Sequence, residues 1–386
     1  MDSICSATTV KSLRAKLQTL PSSYEDAYTD TLNRILTQEP ERRDLASRAL
    51  GWVCISERPL YMAELRYAVA SLDTDSLSYD DEDLATEKSI LSVCLGMLVA
   101  LKTGSSVKLV HWSARQFLVK RLSLHDQATQ LSIGKACLTY MSTADLIKGP
   151  CTSVSDLQTR LQRFPFLDYA ARYYGAHIKP VEDGMLSELL TFLNDANVRH
   201  SSWQLLHFVF DIGSKSAEAM FSSVPGGASV IHVACYWGFS SVLKRAVAAS
   251  EGSYVLGRPD SHGWTGLHWA TSAGHEDMVK ILLDARAEKE AVDQGGWTPL
   301  FWAALKGHAP IVRLLLDRGA DAFRADNSGM TPLHWSVLSE AQEVTDLLLD
   351  HARGVEPKMG SDIPPKAHQR GTSEASAGST EVQKYF

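Results

Sequence analysis

The feature that most constrains this chain is a repeat of 33 residues in its C-terminal third. Three segments align without gaps, beginning at Asp260, Asp293 and Asp326. Each passes through a glycine (Gly263, Gly296, Gly329) and a threonine (Thr265, Thr298, Thr331) into an apolar stretch. Each then reaches a leucine-rich second stretch, at 281–283, 314–316 and 347–349. A unit of this length cannot bury its own apolar face, so neighbours must stack. Asp followed by Gly predicts a tight turn with Gly at positive φ. The threonines are placed to cap the next helix, and Pro299 and Pro332 suit its first turn.

Thr298-Pro299-Leu300-Phe301-Trp302-Ala303 and Thr331-Pro332-Leu333-His334-Trp335-Ser336 resemble the T-P-L-H-x-A signature of ankyrin repeats. A degenerate unit, Gly227 to Gly238, precedes the regular ones and lacks the Asp turn, so it is expected to cap the stack. Gly266 in place of proline, Phe301 in place of histidine and Glu340 in place of glycine depart from the pattern, and the last repeat is expected to be the less regular. The resemblance implies a concave face of turn tips and first-helix side chains that takes a protein partner. By register its candidate contacts are Ser261, His262, Trp264, Gln294, Trp297, Lys306, Asn327 and Met330. Trp264, Trp297 and Met330 are equivalent positions. Two readings stand for them: an apolar ridge suited to hot-spot contacts, or side chains covering neighbouring turns. Trp269, Trp302 and Trp335 are expected to pack.

The 386 residues carry a net charge of −7 and a pI near 6.0. That is no basic footprint for phosphate neutralisation, and no nucleic-acid partner is expected. Six scattered cysteines without a CxxC pair argue against a disulfide framework or structural zinc. The repeat histidines (His262, His268, His275, His308, His334) lack carboxylate or thiolate neighbours at ligand spacing, so no metal site is expected. The longest apolar stretch, Ile90 to Leu101, is too short to span a bilayer, and no signal peptide opens the chain. A cytoplasmic protein without membrane contact is expected. No GxSxG, HExxH, EF-hand or dinucleotide fingerprint occurs, which predicts a non-enzymatic chain without cofactor or small-molecule ligand.

Upstream, Tyr24, Tyr28, Leu32, Ile35 and Leu36 follow a helical stripe that Ser22 or Ser23 can cap. Leu45 to Val53 and Met62 to Ala70 predict two more helices, broken at Arg58-Pro59-Leu60. Asp73 to Glu87 reads as an exposed acidic loop, and Thr86 to Cys94 as helix. Met97 to Lys102 and Val107 to His111 flank a Gly-containing turn at 103–106, a hairpin signal. A closing helix over Ser113 to Val119 completes the pattern of a winged helix.

These residues resemble a known family. Leu20-Pro21 with Tyr24 and Tyr28, Arg58-Pro59-Leu60 with Glu64-Leu65, Cys94-Leu95-Gly96-Met97-Leu98, and Val110-His111 followed by Ser113, Phe117 and Leu118 are similar to motifs of fungal NACHT-type STAND proteins. Phe164 to Tyr174 with His177 resembles the helical stretch that follows there. In that family the winged helix is of the GPI inositol-deacylase type, a homology of the module that implies no lipase activity. The resemblance implies that 1–20 are the end of a nucleotide-binding module, and that His111 contacts a bound nucleoside diphosphate. The plainer reading of His111 is a packing residue at a strand–helix junction. No GxxxxGK[ST] loop occurs in these 386 residues, so the chain is expected to be a natural truncation, a partial gene model, or one of two separately made pieces.

The expected fold is mainly α: a winged helix over 21–122, a helical linker domain over 123–222, ankyrin repeats over 223–352 and a disordered tail over 353–386. The expected function is partner binding, resembling the sensor and coupling part of a STAND protein. The alternatives are an adaptor acting in trans with a nucleotide-binding chain, and a winged-helix DNA-binding regulator.

Overall fold

The computed structural model describes residues 23–72, 84–100, 106–124, 126–142, 144–207, 225–249 and 256–354. The segment 1–20, most of the acidic loop, the tip of the wing at 103–105, the junction at 222–224 and the tail from 355 lie outside the described residues.

Helix α1 (Tyr24–Leu36) starts where the Ser23 side chain accepts from the Asp26 amide, at 3.1 Å. Helices α2 (Pro40–Ile55), α3 (Met62–Ala70) and α4 (Glu87–Val93) follow. The strands β1 (Leu98–Ala100) and β2 (Val107–Leu109) pair antiparallel, with Leu98 opposite Leu109 and Ala100 opposite Val107. Helix α5 (Trp112–Arg121) closes the winged helix around Ile35, Leu50, Trp52, Leu65, Ile90 and Leu118. One expectation fails here. Tyr24, placed on the apolar stripe, is 80% exposed, because the contact of α1 with the core starts one turn later, at Tyr28, and is complete only at Leu32 and Ile35.

Helices α6 (Gln127–Met141), α7 (Ala144–Ile147), α8 (Val154–Arg163), α9 (Leu167–Ile178), α10 (Leu186–Asn194) and α11 (Ala196–His207) form the middle of the chain. A 3₁₀ segment, Lys179–Met185, joins α9 to α10. The buried Trp52 ring meets Phe166, Tyr169 and His177 edge-on at 5.3, 6.2 and 6.1 Å, the geometry aromatic quadrupoles favour. Tyr169 Oη accepts from the Glu57 amide at 3.0 Å and bonds His177 Nε2 at 2.8 Å. Arg58 grips Glu64 with both guanidinium ends, at 2.8 and 2.7 Å, and reaches Asp168 at 3.1 Å. Asp168 in turn holds Arg172 at 2.7 Å.

The repeats follow as helix pairs: α12 (Val230–Trp237) with α13 (Ser240–Ala249), α14 (Gly266–Ser272) with α15 (Glu276–Asp284), α16 (Pro299–Leu305) with α17 (Ala309–Asp317), and α18 (Pro332–Leu338) with α19 (Gln342–Gly354). First helices pack on first helices and second on second. The second row begins upstream of the first repeat, since α10 packs on α13 as α13 packs on α15. Buried Glu182 accepts from the Ser241 and Val242 amides at 2.7 and 2.9 Å, satisfying orphan donors at the start of α13. On the other row, Gly175 of α9 lies so close to the Trp237 indole that a Cβ would fall 1.9 Å from it. One apolar cluster therefore runs from Leu32 to Leu348.

Candidate functional site

Each repeat turn is organised by its aspartate. Asp260 Oδ1 accepts from the amides of His262 and Trp264, at 2.9 and 3.0 Å. Asp293 does the same for Gly295 and Trp297, and Asp326 for Ser328 and Met330. The second carboxylate oxygen accepts from the indole of the following helix: Trp269, Trp302 and Trp335 donate to Asp260, Asp293 and Asp326 at 3.0, 3.0 and 2.9 Å. The expectation that these three tryptophans pack is met.

The first tryptophan set interleaves with the second. Trp264 lies 4.4 Å from Trp269 and 4.3 Å from Trp302, centroid to centroid. Trp297 lies 4.8 Å from Trp302 and 4.6 Å from Trp335, and its Nε1 donates to Asp326 at 2.9 Å. Trp297 is only 9% exposed, while Trp264 and Met330 are half-buried against the same cluster. Of the two readings, covering neighbouring turns describes the geometry. No exposed ridge forms at Trp297, because the next repeat's Asp and Trp clamp it. Further down the stack, Trp203 continues the aromatic row, 5.0 Å from Trp269.

Turn is tied to turn by main chain and side chain together. Gln294 N donates to His262 O, and Asn327 N to Gly295 O, both at 3.2 Å. The Gln294 side-chain amide reaches Ser261 O at 2.8 Å and that of Asn327 reaches Gln294 O at 3.0 Å. Ser261, Gln294 and Asn327 stay exposed while performing this tie. His262 is half-buried. So is Lys306, whose ammonium burial holds below its ordinary value.

The capping histidines are structural. Thr265 N donates to His268 Nδ1 at 3.1 Å, so Nε2 carries the proton and donates to Trp297 O at 3.0 Å in the next repeat. His232 repeats this with the Ser229 amide and Arg258 O, at 2.9 and 3.0 Å. Burial pulls His232 down to about 4 and lowers His268 as well. His275 and His308 lean on the carbonyls of Tyr236 and Ser272 in the preceding repeat. At Phe301 the pattern breaks, and the Thr298 hydroxyl is buried without a hydrogen-bond partner among the described residues. Among the described residues no group of three His, Cys, Asp or Glu side chains comes together to hold a metal ion.

His111 caps α5, its Nδ1 3.3 Å from the Ser113 amide and 2.7 Å from Ser113 Oγ. The ring is exposed, stacked 6.4 Å from Tyr24 and tilted 5.5 Å from Trp112, the latter 76% exposed. It lies 150 positions before Ser261 in the chain.

One feature escaped the reading of the sequence. Arg199, His200, Arg245 and Arg258 line a common cleft of about 570 Å³ where α10 and α11 meet α12 and α13 of the first repeat. They lie up to 59 positions apart, so no local motif announces them.

Mostly helical, the chain combines a winged-helix domain with ankyrin repeats. The family model described as ankyrin repeats (3 copies) matches residues 182–293 and 285–359. The model described as GPI inositol-deacylase, winged helix domain, matches residues 33–132. No curated protein matches the chain. Ankyrin repeats suggest protein–protein interaction and are typically non-catalytic, and the second match concerns a winged helix alone, not a catalytic part. No helix among the described residues is long and apolar enough to cross a membrane.

Proposed function

We propose that this chain is a non-catalytic interaction protein whose turn-tip face binds a protein partner, in the manner of the sensor and coupling part of the STAND proteins its motifs resemble. The observation that carries this reading is the tie between successive turns. Backbone and side-chain bonds at 33-residue intervals hold Ser261, His262, Gln294 and Asn327 in fixed register. A surface ordered before binding loses little conformational entropy on docking. Lys306 adds a half-buried cation at the end of α16, while Trp264, Trp297 and Met330 serve as the floor.

A photo-reactive side chain at His262 tests it, with the same group at Arg313 on the second-helix row as the comparison. A discrete adduct from position 262 alone, lost in Lys306→Glu, supports the turn-tip face. Adducts from position 313 alone sink it.

A second reading, docking to a nucleotide-binding chain in trans, draws on the exposed aromatic pair Tyr24 and Trp112 beside His111. Exposed rings of this size beside a polar donor suit an interface. A Tyr24→Ser/Trp112→Ser variant is expected to lose co-purification of such a chain while keeping the position-262 adduct. Retention of both discards this second reading.

A further inference from the structure

The cleft between the helical linker and the first repeat pairs an apolar floor with a cationic rim. Leu190, Val230 and Ile231 supply the floor, and Arg199, Arg245 and Arg258 the rim. Arg199 is fixed in place, its Nε donating to Ala228 O at 3.0 Å and its Nη1 to Leu193 O. His200 Nε2 reaches the same Ala228 carbonyl at 3.2 Å. Arg245 and Arg258 are exposed. Neither guanidinium has an ion pair among the described residues. Among the described residues no Asp or Glu lines the cleft. Asp195 is close enough to favour the charge on Arg199, but its Oδ1 accepts from the Asn197 and Val198 amides. Burial, and then the mutual repulsion of Arg199 and Arg258, weigh on the charges here: both Arg199 and His200 are lowered from their ordinary values.

Three arginines lining one cleft beside apolar surface are an arrangement that an anion relieves. Guanidinium groups take carboxylates in two-point contact, and the apolar floor asks for a side chain rather than a bare ion. We propose that this cleft is the docking site for an acidic peptide segment of a protein partner, with its carboxylates on Arg199, Arg245 and Arg258 and an apolar side chain seated over Leu190, Val230 and Ile231. The cleft shares none of its lining with the turn-tip residues Ser261, His262, Gln294, Asn327 and Lys306, so it is a second contact surface and its test is separate from that of the first.

The probe is a fluorescein-labelled hexapeptide of four glutamates flanking a central leucine and phenylalanine, followed by polarisation against the full chain. Saturable binding is expected, weakening at least tenfold in Arg245→Gln/Arg258→Gln. Both side chains are exposed, so the fold is expected to persist, and circular dichroism checks it. Ala249→Glu, which sets a carboxylate at the cleft edge, gives a second, independent loss. Lys244→Gln, a neighbouring cation outside the lining, leaves affinity unchanged. The proposal is overturned if the chain shows no saturable binding, if the double variant binds equally well, or if a lysine version of the probe competes equally. Serine in place of the leucine and phenylalanine, with unchanged affinity and displacement by inorganic phosphate, would mark a small-anion site and overturn the peptide assignment.

Discussion

At the scale of single residues, the repeats work as four versions of one experiment. Ser229, Thr265 and Thr331 each face a histidine three positions on, and their hydroxyls sit 3.2, 2.9 and 2.8 Å from its Nδ1. Thr298 faces Phe301 and its buried hydroxyl goes unpaired. A buried hydroxyl without a partner costs about 1–3 kcal/mol, whereas a satisfied cap contributes about 1 kcal/mol. Thr298→Val is therefore expected to leave stability unchanged or raise it, while Thr265→Val lowers it by roughly 1 kcal/mol, both read from urea unfolding midpoints. Equal losses would contradict the assignment. Backbone conformation gives a parallel pair. Arg286 (φ 62°) and Glu340 (φ 58°) sit in the left-handed region where Gly319 and Gly307 sit one repeat away. Replacing either with Gly is expected to stabilise by about 0.5–1 kcal/mol, a rise in unfolding midpoint at unchanged m-value. Gly266 warns against carrying the repeat pattern further: a Cβ there would lie 2.6 Å from Ile231 Cγ2, so Gly266→Pro, though it matches the signature, is expected to destabilise.

At the scale of elements, legibility in the sequence followed the reach of the signal. The 33-residue period placed the turns, caps and both helices of each repeat, because those depend on residues within one unit. Met62 to Ala70 and the hairpin were readable for the same reason. Tyr24 was misplaced because a helical stripe says which side chains share a face, not how far along the helix that face meets a core. The Trp264, Trp297 and Met330 positions were found, but periodicity cannot tell an outward aromatic from one lying along the stack; the bond from Trp297 to Asp326 spans 29 residues. The arginine cleft and the Arg58–Glu64–Asp168–Arg172 chain are assembled across still longer separations. That chain joins the winged helix to α9. Burial opposes the Arg58 charge, but Glu64 and Asp168 outweigh it and hold the group above its ordinary value. Asp168→Asn removes one carboxylate from between two guanidinium groups that are three-quarters buried. The expected cost is on the order of 2 kcal/mol, and in a cycle with Arg58→Met the share owed to that pair disappears while the share owed to Arg172 stays. An additive cycle would show that Arg58 and Asp168 act separately.

At the scale of the whole molecule, one continuous apolar cluster runs through the winged helix, the middle helices and the repeats, and the three are expected to unfold as one cooperative structure. His177 sits against Trp52 in the first part, His207 against Trp203 and Trp269 in the middle, and His232 inside the first repeat. Burial pulls all three down to about 4, from 6.5 in the unfolded chain. Below pH 6.5 the unfolded state binds protons that the folded state refuses until about pH 4, so stability is fully present above 6.5 and declines as pH falls from 6.5 toward 4. Each histidine contributes at most about 1.4 kcal/mol per pH unit across that window. Urea unfolding at pH 7.5, 6.5, 5.5 and 4.5 is expected to show a midpoint constant over the first step and dropping over the next two. His232→Gln, which keeps a polar group beside Ser229, should flatten the decline by up to one proton. If the three parts unfold together, tryptophan fluorescence, dominated by the repeats, and far-ultraviolet dichroism, reporting all helices, will give coincident curves at every pH. Separate curves at pH 5.5 would mean that the shared core packs the parts without coupling them, and that binding at the repeats cannot be transmitted to the winged helix through it.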